Sequence, residues 1–304
     1  MNPLIEKSLE QGLIFAVLAI GVYFTYKILD IADLSVEGTF PLGAFVFSRI
    51  ALAGLDPITA TLGAFVLGAL AGGMTYLIHS KIKINALLSG ILTLTILYSF
   101  NLRINNTSNV ALTKVPTLFK MFGGTSRIVF LAVLVIAIKL LVDLFLSTEH
   151  GYMLRITGDN PDLGLAMGKN PNTYKLLGLM LSNGLVAVAG ALMAQSQSFA
   201  DITMGQSIIV TALASIIIGD TFLKNSRFLK PTTRAIIGAI SFKIIGGIAI
   251  DRGLAAEDLK AITAFIVIAF IAYNNASAFG VAKFKTMKRR KIQNAKYKSS
   301  VEGI

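Results

Sequence analysis

The chain has 304 residues, of which 54% are hydrophobic and only 14% are charged, and it carries a net charge of +12. A soluble domain carries about 25% charged residues, so this composition excludes a fully water-exposed surface and favours a membrane protein. The basic residues lie mostly between or after apolar runs. Such a distribution is typical of cytoplasmic loops of membrane proteins and argues against a nucleic-acid-binding surface.

The chain contains no cysteine, which excludes disulfides and thiolate metal sites. His79 and His150 are far apart in sequence and show no metal-ligand spacing. We therefore expect no metal site and no cofactor in this chain. No small-residue cleavage site follows the first apolar run, which predicts a retained helix rather than a signal peptide.

In chain order, the apolar runs predict an all-α, polytopic transmembrane bundle of about eight or nine membrane segments, because several approach the ~20 residues that cross a bilayer core. The first two runs flank a polar break, so one segment is predicted to be broken or re-entrant near residues 30–40, with an ordinary loop as the alternative. Irregular backbone at membrane depth requires protein or water to satisfy it. The predicted segments are about 12–29, 39–55, 58–78, 86–102, 127–146, 174–195, 205–218, 234–250 and 260–273.

The distribution of basic residues also orients the chain and divides it. We predict a transmembrane domain over 1–280 and a basic cytoplasmic tail over 281–304, with the C-terminus and the loop 150–172 both cytoplasmic. The polar stretch 103–125 is then external, with room for a short surface helix. Nine full spans would place the N-terminus outside, whereas eight would place it inside.

The loop 150–172 contains the signals of a short capped helix. Asn160-Pro161-Asp162 combines an N-cap residue, proline at the first helical position and an acid in the first turn. Leu165 and Met167 would give this helix an apolar surface outside the membrane, which suggests a protein partner. The alternative is a loop folded back on its own bundle. The nearby Gly-Lys pair lacks the spacing of a phosphate-binding loop, so we expect no ATP binding by this chain.

The same loop carries the pattern Gly158-x-Asn160, followed eight positions after Asn160 by Gly168-x-Asn170. This pattern resembles the cytoplasmic loop of permease subunits of ABC importers of the branched-chain amino acid and ribose type. The stretch from Asp33 to Gly38, Asp-Leu-Ser-Val-Glu-Gly, resembles another motif of that family with an inserted Glu. The resemblance covers roughly residues 12–280. Lys169 and Pro171 depart from the family pattern and leave the solute undecided.

The resemblance implies a transmembrane permease subunit of an ATP-driven importer, not itself an enzyme, that moves a small polar solute across the cell membrane. An amino acid is the expected solute, with a sugar or nucleoside as the alternative. The implied partners are cytoplasmic ABC ATPase subunits, an extracytoplasmic solute-binding protein, a second permease copy and membrane lipid, with no nucleic acid. A secondary transporter driven by an ion gradient is the alternative class, but it would leave the loop without a role. The residues expected to couple to the ATPase are Gly158, Asn160, Leu165, Met167, Gly168 and Asn170.

Charged residues inside the apolar runs are the remaining candidates. Lys243 lies near the middle of the run 234–250, where a charge usually faces a cavity or a partner. Asp33 and Glu37 are its expected partners, and with Ser35 these residues form the predicted translocation path. A structural ion pair, or a lysine that reaches towards the interface, is the alternative.

Two glycines are expected to serve packing rather than transport. Gly68 and Gly72 follow Ala64 at four-residue spacing, so the three residues form a small-residue ridge on one helix face. Such ridges allow close contact between membrane helices. We therefore expect this ridge to pack against a neighbouring helix.

Overall fold

The computed structural model describes residues 3–122, 126–223, 229–254, 258, 261–270 and 272. The predicted cytoplasmic tail, 281–304, lies outside the described residues. The helices are α1 (Pro3–Tyr23, continued by a π-helical turn, Phe24–Ile28), α2 (Val36–Leu52), α3 (Pro57–Ser80), α4 (Ala86–Asn105), α5 (Leu118–Met121), α6 (Arg127–Leu146), α7 (Glu149–Asp159), α8 (Pro161–Ala166), α9 (Pro171–Gln197), α10 (Ile208–Leu223), α11 (Pro231–Asp251) and α12 (Ala261–Phe270). The strands are β1 (Asn109–Ala111) and β2 (Phe199–Asp201), and a 3₁₀ turn, Ile202–Gly205, precedes α10.

Seven described helical segments are long and apolar enough to cross a membrane: α1 with its π-helical turn, α3, α4, α6, α9, α10 together with the 3₁₀ turn that precedes it, and α11. The shorter apolar helices α2 and α12 have 17 and 10 residues. The prediction of an all-α polytopic bundle is therefore confirmed, and the seven long spans are compatible with the predicted eight or nine segments.

Helix α9 is the centre of the bundle and packs against α1, α2 and α3. Its small residues allow close approach: Gly190 lies against the carbonyl of Phe40, and Ala187 faces Gly43 on α2. As a result α2 is almost wholly buried. A helix without a lipid-facing stripe does not need the full length of a span.

The chain is broken between α1 and α2, as the sequence predicts. Asp30 has a left-handed backbone, with φ of 53°, and regular helix resumes only at Val36. Protein groups satisfy this irregular backbone. The amide of Ile31 donates to the Thr25 carbonyl at 2.9 Å, and the amide of Ser35 donates to the Asp33 carboxylate at 2.9 Å.

A short antiparallel ribbon lies at the end of the bundle opposite to α7 and α8. β1 pairs with β2 in the register Val110 to Ala200. Helix α9 starts beside α8 and ends beside β2, and its 27 residues separate the two ends by about 40 Å. β1 and α5 both lie within the stretch 103–125 that is predicted to be an external loop.

Candidate functional sites

The loop between α6 and α9 folds into two short helices, α7 and α8. The Asn160 side chain accepts a hydrogen bond from the amide of Leu163 at 3.2 Å, and Pro161 occupies the first turn of α8. Gly168 ends this unit with φ of +73°, a conformation that favours glycine. Asn170 then caps α9 by accepting from the amide of Asn172 at 3.0 Å. Both asparagines of the family-like pattern are therefore helix caps.

The apolar side chains of α8 and its C-cap point outward. Leu163, Leu165 and Met167 are 48%, 60% and 56% exposed. The opposite side of α8 is buried, since Gly164 lies beside Pro171 and Met153. The loop therefore packs on its own bundle through one face only and presents an apolar surface with the other.

Gly158 fixes the position of α7 on the bundle. A side chain at this position would collide with the carbonyl of Ile28 and with Leu29. The end of α7 thus lies directly on the π-helical end of α1. The loop therefore contacts the end of α1 that leads into the break.

An exposed ion pair joins the start of α7 to the end of the loop. Lys169 Nζ lies 2.8 Å from Glu149 Oε1. The hydrogen bond and the positive charge of Lys169 lower the pKa of Glu149, and the same bond raises the pKa of Lys169. The lysine that departs from the family pattern thus has a local partner.

Asp33 and Ser35 belong to a buried hydrogen-bonded cluster rather than to a cavity wall. The Asn183 amide nitrogen donates to Asp33 Oδ2 at 2.8 Å, and Asn183 Oδ1 accepts from Ser35 at 3.1 Å and from Thr39 at 2.7 Å. All four side chains are buried. We call Asp33, Ser35, Thr39 and Asn183 the break cluster. Sequence reasoning did not select Asn183, although a polar residue inside an apolar helix is a visible signal.

Glu37 lies on a different surface from the break cluster. Its carboxylate faces the backbone amides of Ser207 and Ile209, at the start of α10. A cavity of about 410 Å³ lies beside it, lined also by Tyr98 and Gln206. Glu37 therefore lies between a helix N-terminus, whose first amides lack partners within the helix, and a cavity.

Lys243 borders a second cavity of about 410 Å³ between α1, α10, α11 and α12. Its ammonium lies 3.6 Å from the centre of the Phe15 ring, the geometry of a cation–π contact. The expected ion pair of Lys243 with Asp33 or Glu37 is wrong within the part of the chain that the structure describes. Asp33 accepts a hydrogen bond from Asn183, and Glu37 faces the amides at the start of α10, so each carboxylate has a neighbour other than Lys243.

Gly68 and Gly72 lie where α3 meets α9. A side chain at Gly72 would collide with the carbonyl of Leu179, and one at Gly68 would come within 2.6 Å of the carbonyl of Asn183. Both glycines allow the two backbones to approach closely.

Together, the long apolar helices, the broken buried segment and the outward-facing helix outside the bundle define a multi-pass membrane transport protein. Residues 4–272 match the family described as branched-chain amino acid transport system, permease component. The chain belongs to this family of permease subunits of ABC transporters, as the resemblance of its loop indicates.

Several characterised or named proteins are similar to this chain. A tyrosine transport system permease protein of Clostridioides difficile is 44% identical over 267 residues, covering 88% of this chain and 90% of that protein. A probable branched-chain amino acid transport permease protein of Methanocaldococcus jannaschii is 28% identical, covering 72% of this chain and 76% of that protein. The ribose import permease protein of Escherichia coli K12 is 26% identical, with coverages of 72% and 70%.

One solved structure shares the fold. It is described as PsaBC from Streptococcus pneumoniae in complex with Fab, and it matches with a TM-score of 0.51 and 16% identity, covering 88% of this chain and 89% of that chain. At this identity the likeness concerns the fold alone.

Proposed function

We propose that this permease subunit forms the membrane path of an ATP-driven importer for an amino acid. The 44% identity to a protein named for tyrosine transport supports an amino acid, and an aromatic one in particular, over a sugar. The relative named for ribose is more distant, at 26%. Ribose and nucleosides are the alternative solutes.

The observation that supports ATP-driven transport is the outward apolar face of α8. Leu163, Leu165 and Met167 have no membrane to cover in a loop between two spans, so a protein partner accounts for their exposure. We assign cytoplasmic ATPase subunits to this surface. ATP hydrolysis then belongs to those partner chains and not to this one.

The rest of the assembly follows from the same proposal. A second permease copy would enclose a central path around a dyad, which is the common symmetry of such pairs. A solute-binding protein would deliver the solute at the opposite end, beside β1, β2 and α5. The loop 150–172 and the tail 281–304 are cytoplasmic in this arrangement, because their basic residues favour that side.

Leu165→Asp and Met167→Asp test the docking assignment. Each substitution would bury a charge in the contact with the ATPase, which is strongly unfavourable. We expect normal membrane levels, loss of ATPase co-purification and loss of uptake. Met121→Asp is the matched control, since Met121 is 55% exposed on α5 at the opposite end of the bundle. It should keep the ATPase bound.

Two results would contradict this proposal in different ways. If the α8 variants retain a bound, active ATPase, the docking surface is elsewhere. If no ATPase co-purifies with the unchanged protein and uptake follows an ion gradient, the chain is a secondary transporter. A separate experiment identifies the class of solute: leucine, ribose and uridine are each tested for competition with the uptake of labelled tyrosine.

A further inference from the structure

The cavity that contains Lys243 is a candidate binding site. Its volume of about 410 Å³ falls within the range of about 300–1,000 Å³ that small-molecule sites occupy. The lining is mostly apolar, with polar side chains from α1, α10, α11 and α12, among them Gln11 on α1 and Thr211 on α10. A mostly apolar cavity with a small number of polar groups is typical of sites for small organic molecules.

The cavity lies towards the end of the bundle that bears the β-ribbon. Ser8 and Gln11 come from the first half of α1, and Gly246 and Gly247 from the last third of α11. A smaller cavity of about 130 Å³, which also contains Lys243, extends inward to Phe40 on α2 and Met193 on α9. Lys243 therefore lies where the wider cavity narrows towards the core.

The charge of Lys243 is not matched by a carboxylate among the described residues. No ion pair to Lys243 is present there, and the ammonium instead lies over the face of the Phe15 ring. Glu10 is the acidic residue of α1 that lies closest in sequence to Phe15. Its carboxylate already accepts a hydrogen bond from Ser196 at 2.7 Å. A cation at membrane depth that lacks an anionic partner is costly unless water or a ligand supplies one.

We propose that this cavity binds the carboxylate of the transported amino acid and that Lys243 is the residue that recognises it. The ammonium would form a charge-assisted hydrogen bond to the carboxylate, the strongest type available to a lysine. The Phe15 ring holds the ammonium at the narrow end of the cavity, and the apolar lining is left for the side chain of the solute. This inference rests on the proposed amino-acid cargo.

The absence of cysteine from the chain permits a direct test of occupancy. Gly246 lines the cavity, and a side chain there would meet nothing within 4 Å, so Gly246→Cys places a thiol in open space. The purified variant in phosphatidylcholine nanodiscs is treated with a charged methanethiosulfonate reagent, and the rate of thiol modification is measured. We expect L-tyrosine to slow modification and tyramine, which is the same molecule without the carboxylate, to leave the rate unchanged.

Lys243→Met in the Gly246→Cys background should abolish protection by L-tyrosine, whereas Lys243→Arg should keep part of it. Lys114→Met is the matched control, because Lys114 is exposed on the segment after β1, and it should leave protection intact. Equal protection by tyrosine and tyramine, or protection that survives Lys243→Met, would overturn the proposal. A rate that depends on phosphatidylglycerol in the nanodisc and not on tyrosine would also overturn it, since the anion would then be a lipid phosphate.

Uptake of labelled tyrosine by the complete unmodified transporter separates this inference from the proposed function. Uptake without thiol protection means that the cargo is correct and the site is wrong. No uptake of any amino acid contradicts the proposed function, and the carboxylate site with it.

Discussion

Asn183 joins three side chains at the break between α1 and α2. Its amide donates to Asp33 and accepts from Ser35 and Thr39, so one residue of α9 satisfies groups in the irregular segment and in the first turn of α2. A buried carboxylate is tolerated only when hydrogen bonds compensate for its lost hydration. The break therefore depends on Asn183 for its conformation.

Asn183→Ala should destabilise the protein because it leaves Asp33 buried without its side-chain donor from α9. We expect a loss of about 1–3 kcal/mol, the cost of a buried unsatisfied polar group, and more if the carboxylate stays charged. The thermal midpoint in detergent measures this loss. Asn172→Ala is the control on the same helix, because Asn172 is exposed near the start of α9. Equal midpoints for the two variants would mean that water replaces Asn183 at the break.

At the residue scale the sequence identifies which polar residues are unusual but not what they contact. Asp33, Glu37 and Lys243 all lie in or beside apolar runs, and the simplest expectation pairs opposite charges. The structure gives each a separate neighbour: Asn183 for Asp33, the start of α10 for Glu37 and the Phe15 ring for Lys243. Which faces of two helices meet depends on helix rotation, and no local pattern in the chain specifies it.

The contact between α3 and α9 is the most extensive between any two described elements. Its closeness follows from two glycines: Gly72 lies against the backbone of Leu179, and Gly68 lies against the Ala187 Cβ and the Asn183 carbonyl. Without a strong hydrophobic driving force between helices in lipid, such close packing is a main source of stability.

Gly72→Ala should lower the thermal midpoint, since the added methyl group would collide with the Leu179 carbonyl, which cannot move away without shifting α9. We expect about 1–3 kcal/mol of destabilisation, the usual cost of overpacking. Gly73→Ala is the control at the next residue of the helix, because its methyl group would lie 3.8 Å from the Met180 side chain, an ordinary van der Waals contact. If Gly72→Ala and Gly73→Ala have the same thermal midpoint, the collision at Gly72 is relieved by a small helix shift.

At the element scale the long helices are predictable because each is an apolar run of sufficient length, and some begin at a capping residue, as α3 does at Asp56 and α4 at Asn85. The capped helix α8 and the break near residues 30–40 are also visible as local patterns. The β-ribbon is not, since β1 and β2 have three residues each and are separated by about 90 positions, with no alternating pattern.

At the scale of the whole molecule, the outward loop and the β-ribbon lie at opposite ends of α9, about 40 Å apart. A continuous series of contacts starts at the loop. Gly158 lies on the end of α1, and the break that follows leads to the cluster around Asn183 and then into α2. A displacement of α7 and α8 would in this way act first on the broken segment, which has the least regular backbone in the bundle.

The orientation of this molecule is the last prediction, and it follows from charge rather than from packing. Basic residues favour the cytoplasmic side, which places α8 and the C-terminus inside and the segment after β1 outside. Asp162→Cys on α8 and Thr113→Cys after β1 put single thiols at exposed positions on opposite ends of the cysteine-free chain. In intact cells an impermeant maleimide should label Thr113→Cys and leave Asp162→Cys and Ser299→Cys unlabelled until the membrane is permeabilised. The reverse pattern would invert the topology, and it would place the apolar face of α8 where no cytoplasmic ATPase can reach it. Labelling of Ser299→Cys together with Thr113→Cys would instead place the C-terminus on the side opposite to α8, which requires an odd number of membrane crossings between them.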